Sequence, residues 1–230
     1  MNESYSFSFA DQRAGAYCCG SGGLALVVAG REGSVAAELA GEGPFAVRGP
    51  EVGEVALEPL GEGVTFDDGG PRRWACRARG KDARGAKIDG YGSVALGPTE
   101  LAGTALLRNL WVCFGDELAI SVLARRRAAQ DEHGDEELAV VVGRGAPLAL
   151  SLVADPRLSS TYGEDGHVLR AGLELWEDEL EGERERGRAL RLAGETLAVG
   201  ELEGARVAFM VWRYGGREGI GCYTIERAAS

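Results

Sequence analysis

The residues best placed to do chemistry lie in the stretch Lys87-Ile88-Asp89-Gly90-Tyr91-Gly92-Ser93-Val94. Side chains of an extended segment alternate between faces, so Asp89, Tyr91 and Ser93 share one side while Ile88, Gly90, Gly92 and Val94 share the other. A carboxylate, a phenol and a hydroxyl in one row make a hydrogen-bonding floor for a ligand if the row faces an enclosed space. Facing water, they are ordinary strand surface. Two glycines inside a strand mark a bulge, a bend, or a place where another group packs directly on backbone.

Further candidates lie downstream. Arg108 interrupts an apolar strand, and a buried arginine needs a partner; Asp89 or a bound anion would serve, unless the residue sits at a strand end with its head in solvent. His167 follows Tyr162, Glu164 and Asp165 in a turn, and a carboxylate beside a histidine tunes a general base. A plain surface turn explains the same residues. Glu174 and Trp176 are read as lying on opposite faces of the extended segment, so that one points inward, and a carboxyl under an aromatic wall is the setting that raises a pKa and makes an acid. Asp89, Glu174 and His167 are therefore the candidate catalytic groups. Tyr91, Arg108, Trp111, Trp176, Trp212 and Tyr214 are the candidate ligand contacts, although large aromatics serve equally as core packing.

Other chemistries find no motif. The sequence has no phosphate-cradling loop, dinucleotide fingerprint, Gly-x-Ser-x-Gly or Cys-x-x-Cys. Two histidines, His133 in an acidic stretch and His167, are too few for a multi-histidine centre. No metal and no cofactor is expected. A formal net charge of −11 argues against nucleic acid and anionic membrane surfaces as partners. Asn2-Glu3-Ser4 after Met1 is not the apolar core of a secretory signal, and no apolar run approaches the roughly 20 residues of a membrane span. The five cysteines are odd in number and fall within strand patterns, which fits free thiols in a reducing cytoplasm.

The elements that must position these groups read as strands. The 36 glycines punctuate the chain at the turn spacing of an all-β protein. Tyr5-Ser6-Phe7-Ser8-Phe9 alternates as a half-buried strand. Two apolar runs, 104–114 and 118–125, flank Gly115-Asp116-Glu117 and predict a hairpin buried on most of both faces, as in the middle of a sandwich or where two barrels share a wall. Helix competes over 173–192, but Gly182 and Gly187 interrupt it, so a strand to about Trp176 and then a charged loop is predicted. The polar segment 80–85 lacks any apolar side chain larger than alanine and is the expected boundary between an N-terminal β unit, 1–80, and a C-terminal β unit, 86–230. No residue-level repeat relates the two.

Two consecutive antiparallel β units, the opening strand Tyr5-Ser6-Phe7-Ser8-Phe9, and Gly90-Tyr91-Gly92-Ser93 at the head of the second unit resemble the AttH-like family, which includes carotenoid 1,2-hydratases. The resemblance implies a pair of lipocalin-like β-barrels, and some members hydrate or cyclise hydrophobic natural products. No Trp-Gly-x-Arg segment follows Gly90-Tyr91 here, so the resemblance carries binding further than catalysis. The expectation is a cytoplasmic protein holding a hydrophobic small molecule in or between two barrel or sandwich units. Any chemistry would be acid-catalysed hydration or cyclisation by Asp89 or Glu174. The alternative is a non-enzymatic interaction module or homodimer scaffold, kept soluble by the acidic stretches 131–137 and 177–185.

Overall fold

The computed structural model describes residues 5–27, 32–34, 36–38, 43–66, 70–97, 103–127, 136–177 and 188–227. His133 and most of the two acidic stretches lie outside the described residues. The first sheet contains β1 (Tyr5–Asp11), β2 (Ala16–Ser21), β3 (Leu24–Val27), β4 (Glu32–Ser34), β5 (Ala36–Glu38), β6 (Phe45–Gly49), β7 (Gly53–Pro59), β8 (Arg72–Lys81) and β9 (Lys87–Leu96). The second contains β10 (Thr104–Cys113), β11 (Leu118–Arg127), β12 (Glu137–Arg144), β13 (Ala149–Leu152), β14 (Arg157–Tyr162), β15 (Val168–Glu177), β16 (Arg188–Leu202), β17 (Ala205–Tyr214) and β18 (Arg217–Arg227). No helix forms among the described residues.

Both sheets are antiparallel and repeat one topology. Their orders are β4-β3-β2-β1-β9-β8-β7-β6-β5 and β13-β12-β11-β10-β18-β17-β16-β15-β14. Each strand of the first sheet thus has its counterpart nine strands later, a repeat of connectivity that no residue pattern announces. The opposite edges β4 and β5 are joined through residue 35 alone. Consecutive Cα atoms are about 3.8 Å apart, so the edges must approach each other and the sheet must curl into a barrel-like trough.

Alternation then sorts side chains into three apolar layers. Phe7, Phe9, Leu57, Trp74, Ile88 and Val94 fill the first curl. Leu110, Val112, Leu175, Met210, Trp212 and Tyr223 fill the second. Ala10, Cys19, Trp111, Cys113, Phe209 and Cys222 form the third, which joins the outer faces of the two sheets. The hairpin β10–β11 is buried on both faces because Leu110 and Val112 look into the second curl while Trp111 and Cys113 look toward the first sheet.

The expected boundary is corrected. Segment 80–85 is the turn of the β8–β9 hairpin, where the Asp82 N–H donates to the Ala86 carbonyl at 2.9 Å and the Asp82 carboxylate accepts from the N–H groups of Arg84 and Ala86 at 2.9 and 2.8 Å. It is polar because a carboxylate organises a tight turn, not because it links domains. β9 pairs with both β1 and β8, and the passage between sheets falls between Leu96 and Thr104. Gly90 and Gly92 therefore close the first sheet rather than open the second.

The two glycines are close approaches of the backbone. A Cβ on Gly90 would lie 2.1 Å from the carbonyl oxygen of Ala10, and one on Gly92 would lie 2.5 Å from that of Ser8. Neighbouring main chain cannot swing away as a side chain does. Gly90→Ala is expected to lower stability by about 1–3 kcal/mol in urea unfolding; an unchanged midpoint would contradict the close crossing of β1.

Two other elements carry weak sequence signals. β14 carries little apolar pattern, because most of its side chains are exposed and only Leu158 reaches the second core. β16 is one long strand with a register shift between Thr196 and Ala198. Gly194 within it makes room for the Trp212 ring, whose nearest atom would lie 2.7 Å from an added Cβ.

Candidate functional site

The two curls are filled, and the largest open space described lies between them. A cavity of ≈ 450 Å³ opens where the outer face of the first sheet meets the outer face of the second. Its floor is fixed by one buried contact, in which the Trp111 indole N–H of β10 donates to Ser8 Oγ of β1 at 2.6 Å. Ser6, Ser8, Ser93 and Ala95 form the wall on the first sheet, with Cys19 and Ser21 beside them. Asn109, Trp111, Ser121, Cys222 and Thr224 form the facing wall, and Leu202 and Val207 add apolar surface. Arg73, Glu203, Glu226 and Arg227 also line it, so charge of both signs borders a mixed apolar and hydroxyl lining.

Strand alternation produces this lining. Phe7 and Phe9 point into the first curl, which sends Ser6 and Ser8 to the opposite face, and β1 pairs Ser8 with both Ser93 and Cys19. The serines of the opening strand, predicted to face water, face the second sheet instead; Ser8 is 8% exposed. On β18 the residues Cys222, Thr224 and Glu226 are two apart and face the cavity together.

Ionisation varies along the lining. Burial pushes the Cys19 thiol up to about 12 and the Cys222 thiol well above its usual value, so neither is a ready nucleophile. Burial also pushes the Glu226 carboxyl up, against the opposing pull of the Arg73 guanidinium. The Oδ1 of Asn109 is buried and has no hydrogen-bond partner among the described residues.

Most of the expected site residues lie elsewhere. Asp89, Tyr91 and Ser93 do point away from the first core, but into three settings. Ser93 lines the cavity. Tyr91 is half-buried against the layer between the sheets, and its hydroxyl donates to Asp116 Oδ1 at 3.0 Å on the β10–β11 turn. Arg77 joins that group, donating to Tyr91 and to Asp116 at 3.2 Å. Burial first, then the hydrogen bond to Asp116, pushes the Tyr91 phenol up to about 12. Asp89 is exposed and paired with Arg77, which holds its carboxyl below the usual range. This cluster latches one sheet to the other outside the cavity, and a carboxylate so stabilised is a poor acid.

The other two catalytic candidates are placed as structural groups. Glu174 and Trp176, two residues apart, share the outer face of β15; Glu174 meets its cross-strand partner Arg191 at 3.4 Å, and Trp176 is 36% exposed. That carboxyl is 41% exposed and so is not enclosed. The His167 Nε2–H faces the Gly200 carbonyl at 3.1 Å, and its Nδ1 lies 3.2 Å from Asp165 Oδ2. Its backbone N–H donates to Asp165 Oδ1 at 3.0 Å, which closes the β14–β15 turn. Neither residue reaches the cavity.

Of the expected ligand contacts, Trp111 lines the cavity. Trp212 is fully buried in the second core, and Tyr214 packs on that core with its ring edge-to-face against Phe114 at 6.1 Å. Arg108 neither ends in solvent nor meets Asp89. Its Nε donates to Glu136 Oε1 at 2.7 Å, and its Nη1 donates to the Tyr223 hydroxyl at 3.1 Å inside the second curl. Ser6, Ser8, Asn109, Thr224 and Glu226 were missed. Each sits on a strand whose apolar partners fill a curl, and a strand pattern cannot tell a solvent face from a face covered by another sheet.

Among the described residues no group of three or more His, Cys, Asp or Glu is arranged to hold a metal, and no helix is long and apolar enough to cross a membrane. No protein-family model matches the sequence, and no curated protein matches it. Solved structures do. CghA with Sch210972 superposes with a TM-score of 0.55 at 11% identity, over 98% of this chain and 88% of that one. CghA in a second structure gives 0.51 at 11%, over 98% and 87%. A putative AttH from Nitrosomonas europaea gives 0.53 at 9%, over 97% and 91%. At these identities the likeness is one of fold, and that fold of two curled antiparallel sheets is the one implied by the resemblance to the AttH-like family.

Proposed function

We propose that this protein binds a hydrophobic small molecule in the cavity between its two sheets. The observation that carries the reading is the ≈ 450 Å³ space itself, bordered by the two sheets while both curls are packed with side chains. Pockets for small ligands are typically about 300–1,000 Å³, largely apolar, with a few placed polar groups. A structural neighbour of the same fold carries Sch210972, which is consistent with ligand binding by this architecture. Binding is the function proposed; the placement of Asp89, Glu174 and His167 gives no support to hydration or cyclisation by those groups.

Ala95 is 6% exposed and lines the cavity, so Ala95→Phe should fill the space. In isothermal titration with 1-decanol, wild type is expected to bind and Ala95→Phe to lose at least tenfold in affinity, about 1.4 kcal/mol, while retaining its circular dichroism. Equal binding by both proteins would place the ligand elsewhere and end the reading.

A further inference from the structure

We propose that the cavity takes a hydrophobic framework bearing several hydroxyl or carbonyl groups, rather than a hydrocarbon chain with one polar head, and that Ser6, Ser21, Ser93, Ser121 and Thr224 bind those groups. This inference rests on the small-molecule reading above and names the chemical class of the ligand.

Five strands supply these hydroxyls, and alternation aims all of them at the same space. Phe7, Cys18, Val94, Ile120 and Tyr223 belong to the cores of the two curls. Ser6 on β1, Ser21 on β2, Ser93 on β9, Ser121 on β11 and Thr224 on β18 lie an odd number of residues from them and so take the opposite, inter-sheet face. All five line the cavity, and all five are half-buried. Among the described residues none of their hydroxyls has a hydrogen-bond partner, and none is sealed from solvent as the Asn109 amide oxygen is. Ser8 differs, because its hydroxyl is already engaged by the Trp111 indole N–H.

Small apolar side chains would have left the same room. Cys19 and Ala95 do so on the same wall, and elsewhere between the sheets Ala10, Cys113, Phe209 and Ile220 pack with no hydroxyl among them. An alanine loses nothing when a hydrocarbon covers it. A serine so covered loses the hydrogen bonds that its hydroxyl makes to solvent. Hydroxyls at five positions therefore disfavour a plain alkane and favour a ligand whose own oxygens replace that solvent. Trp111, Leu202 and Val207 supply the apolar contact for the framework that carries them.

The spacing calls for oxygens at several places. Ser6 is the cross-strand partner of Ser21, and Ser8 of Ser93. Partners of this kind stand about 5 Å apart at Cβ, and residues two apart along a strand about 7 Å. On the facing sheet Ser121 is the cross-strand partner of Trp111, and Thr224 lies two residues beyond Cys222, the other partner of Trp111. Three hydroxyls thus stand on one wall and two on the other, which is more than a single head group can reach. Hydrogen-bonded sheets hold them in place, so a framework with distributed oxygens meets them at little ordering cost.

The test is equilibrium dialysis of the full chain against tritiated progesterone, 11-deoxycorticosterone, corticosterone and hydrocortisone, neutral steroids of one skeleton that carry none, one, two and three hydroxyls. Isothermal titration with 1-decanol reports separately on occupancy of the cavity. Affinity is expected to rise with hydroxyl count, although partition into apolar solvent falls along the same series, with hydrocortisone roughly fivefold or more tighter than progesterone, the worth of about one net hydrogen bond. The double variant Ser93→Ala with Thr224→Val removes one hydroxyl from each wall. It should weaken hydrocortisone by roughly fivefold and leave progesterone within about twofold of wild type. Circular dichroism and thermal unfolding show that the variant is folded. Progesterone bound tightest, equal losses for both steroids in the double variant, or no loss for hydrocortisone would each overturn the hydroxyl assignment while leaving the cavity as a binding site. Binding of 1-decanol with no steroid bound would have the same meaning. Failure of 1-decanol and the steroids alike would overturn the small-molecule reading and this inference with it.

Discussion

Replacing Trp212 with alanine will cost about 3–5 kcal/mol of folding stability, the largest effect expected of any single truncation in the second curl. The ring is 0% exposed and belongs to the core formed by strands β10, β11, β12, β15, β16, β17 and β18. It occupies room that Gly194 and Gly221 leave open, since an added Cβ on either would fall within 2.7 or 3.1 Å of the indole. The strands around it are hydrogen-bonded to one another and cannot close inward, so most of the vacated volume stays empty. Urea unfolding should show a lower midpoint with an unchanged slope. Trp212→Phe is the informative companion. The indole N–H has no hydrogen-bond partner among the described residues, so this variant gives up apolar area but also removes an unsatisfied donor, and should cost well under half as much. Trp111→Phe, between the sheets, loses mainly the bond to Ser8, about 1 kcal/mol. Equal, small losses for Trp212→Ala and Trp111→Phe would contradict a separate core inside the second curl.

That contrast shows what a sequence of this kind can and cannot reveal. Strand content was legible because apolar residues alternate along β1 and crowd both faces of β10 and β11, and burial enforces such patterns. The pairing of β1 with β9 was not, because first-to-last closure depends on how the whole sheet curls and leaves no local mark. The same gap misplaced the boundary, since a carboxylate-organised hairpin turn and an interdomain linker have the same composition. The row Asp89, Tyr91, Ser93 was correctly assigned to one face of its strand. One strand nonetheless crosses three environments, salt-bridged rim, inter-sheet latch and cavity wall, and only the last follows the proposed ligand. Histidine, tryptophan and a lone arginine are the conspicuous residue types, whereas plain serines and the carboxylates of Glu203 and Glu226 line the cavity.

Arg108→Ala is expected to cost about 3 kcal/mol, whereas the double substitution Arg108→Met with Glu136→Leu should return stability close to wild type. The side chains of Arg108 and Glu136 are 12% and 16% exposed, and they form a two-point ion pair within the second curl. Removing the guanidinium strands a carboxylate in a poorly solvated place and takes a donor from the Tyr223 hydroxyl, although that hydroxyl keeps Ser160 at 3.0 Å. The cost comes chiefly from the charge left behind, so removing both charges and keeping the volume should recover most of it. Thermal or urea unfolding of the two single variants and the double variant forms the cycle. A single-variant loss below about 0.5 kcal/mol would mark the pair as a solvated surface bridge. The distinction bears on function as well. An arginine beside two tyrosines, Tyr162 and Tyr223, looks like an anion or ligand site, yet its hydrogen bonds are made to groups of the protein itself. The polar cluster around Arg108 therefore belongs to the fold, whereas the open space lies between the sheets.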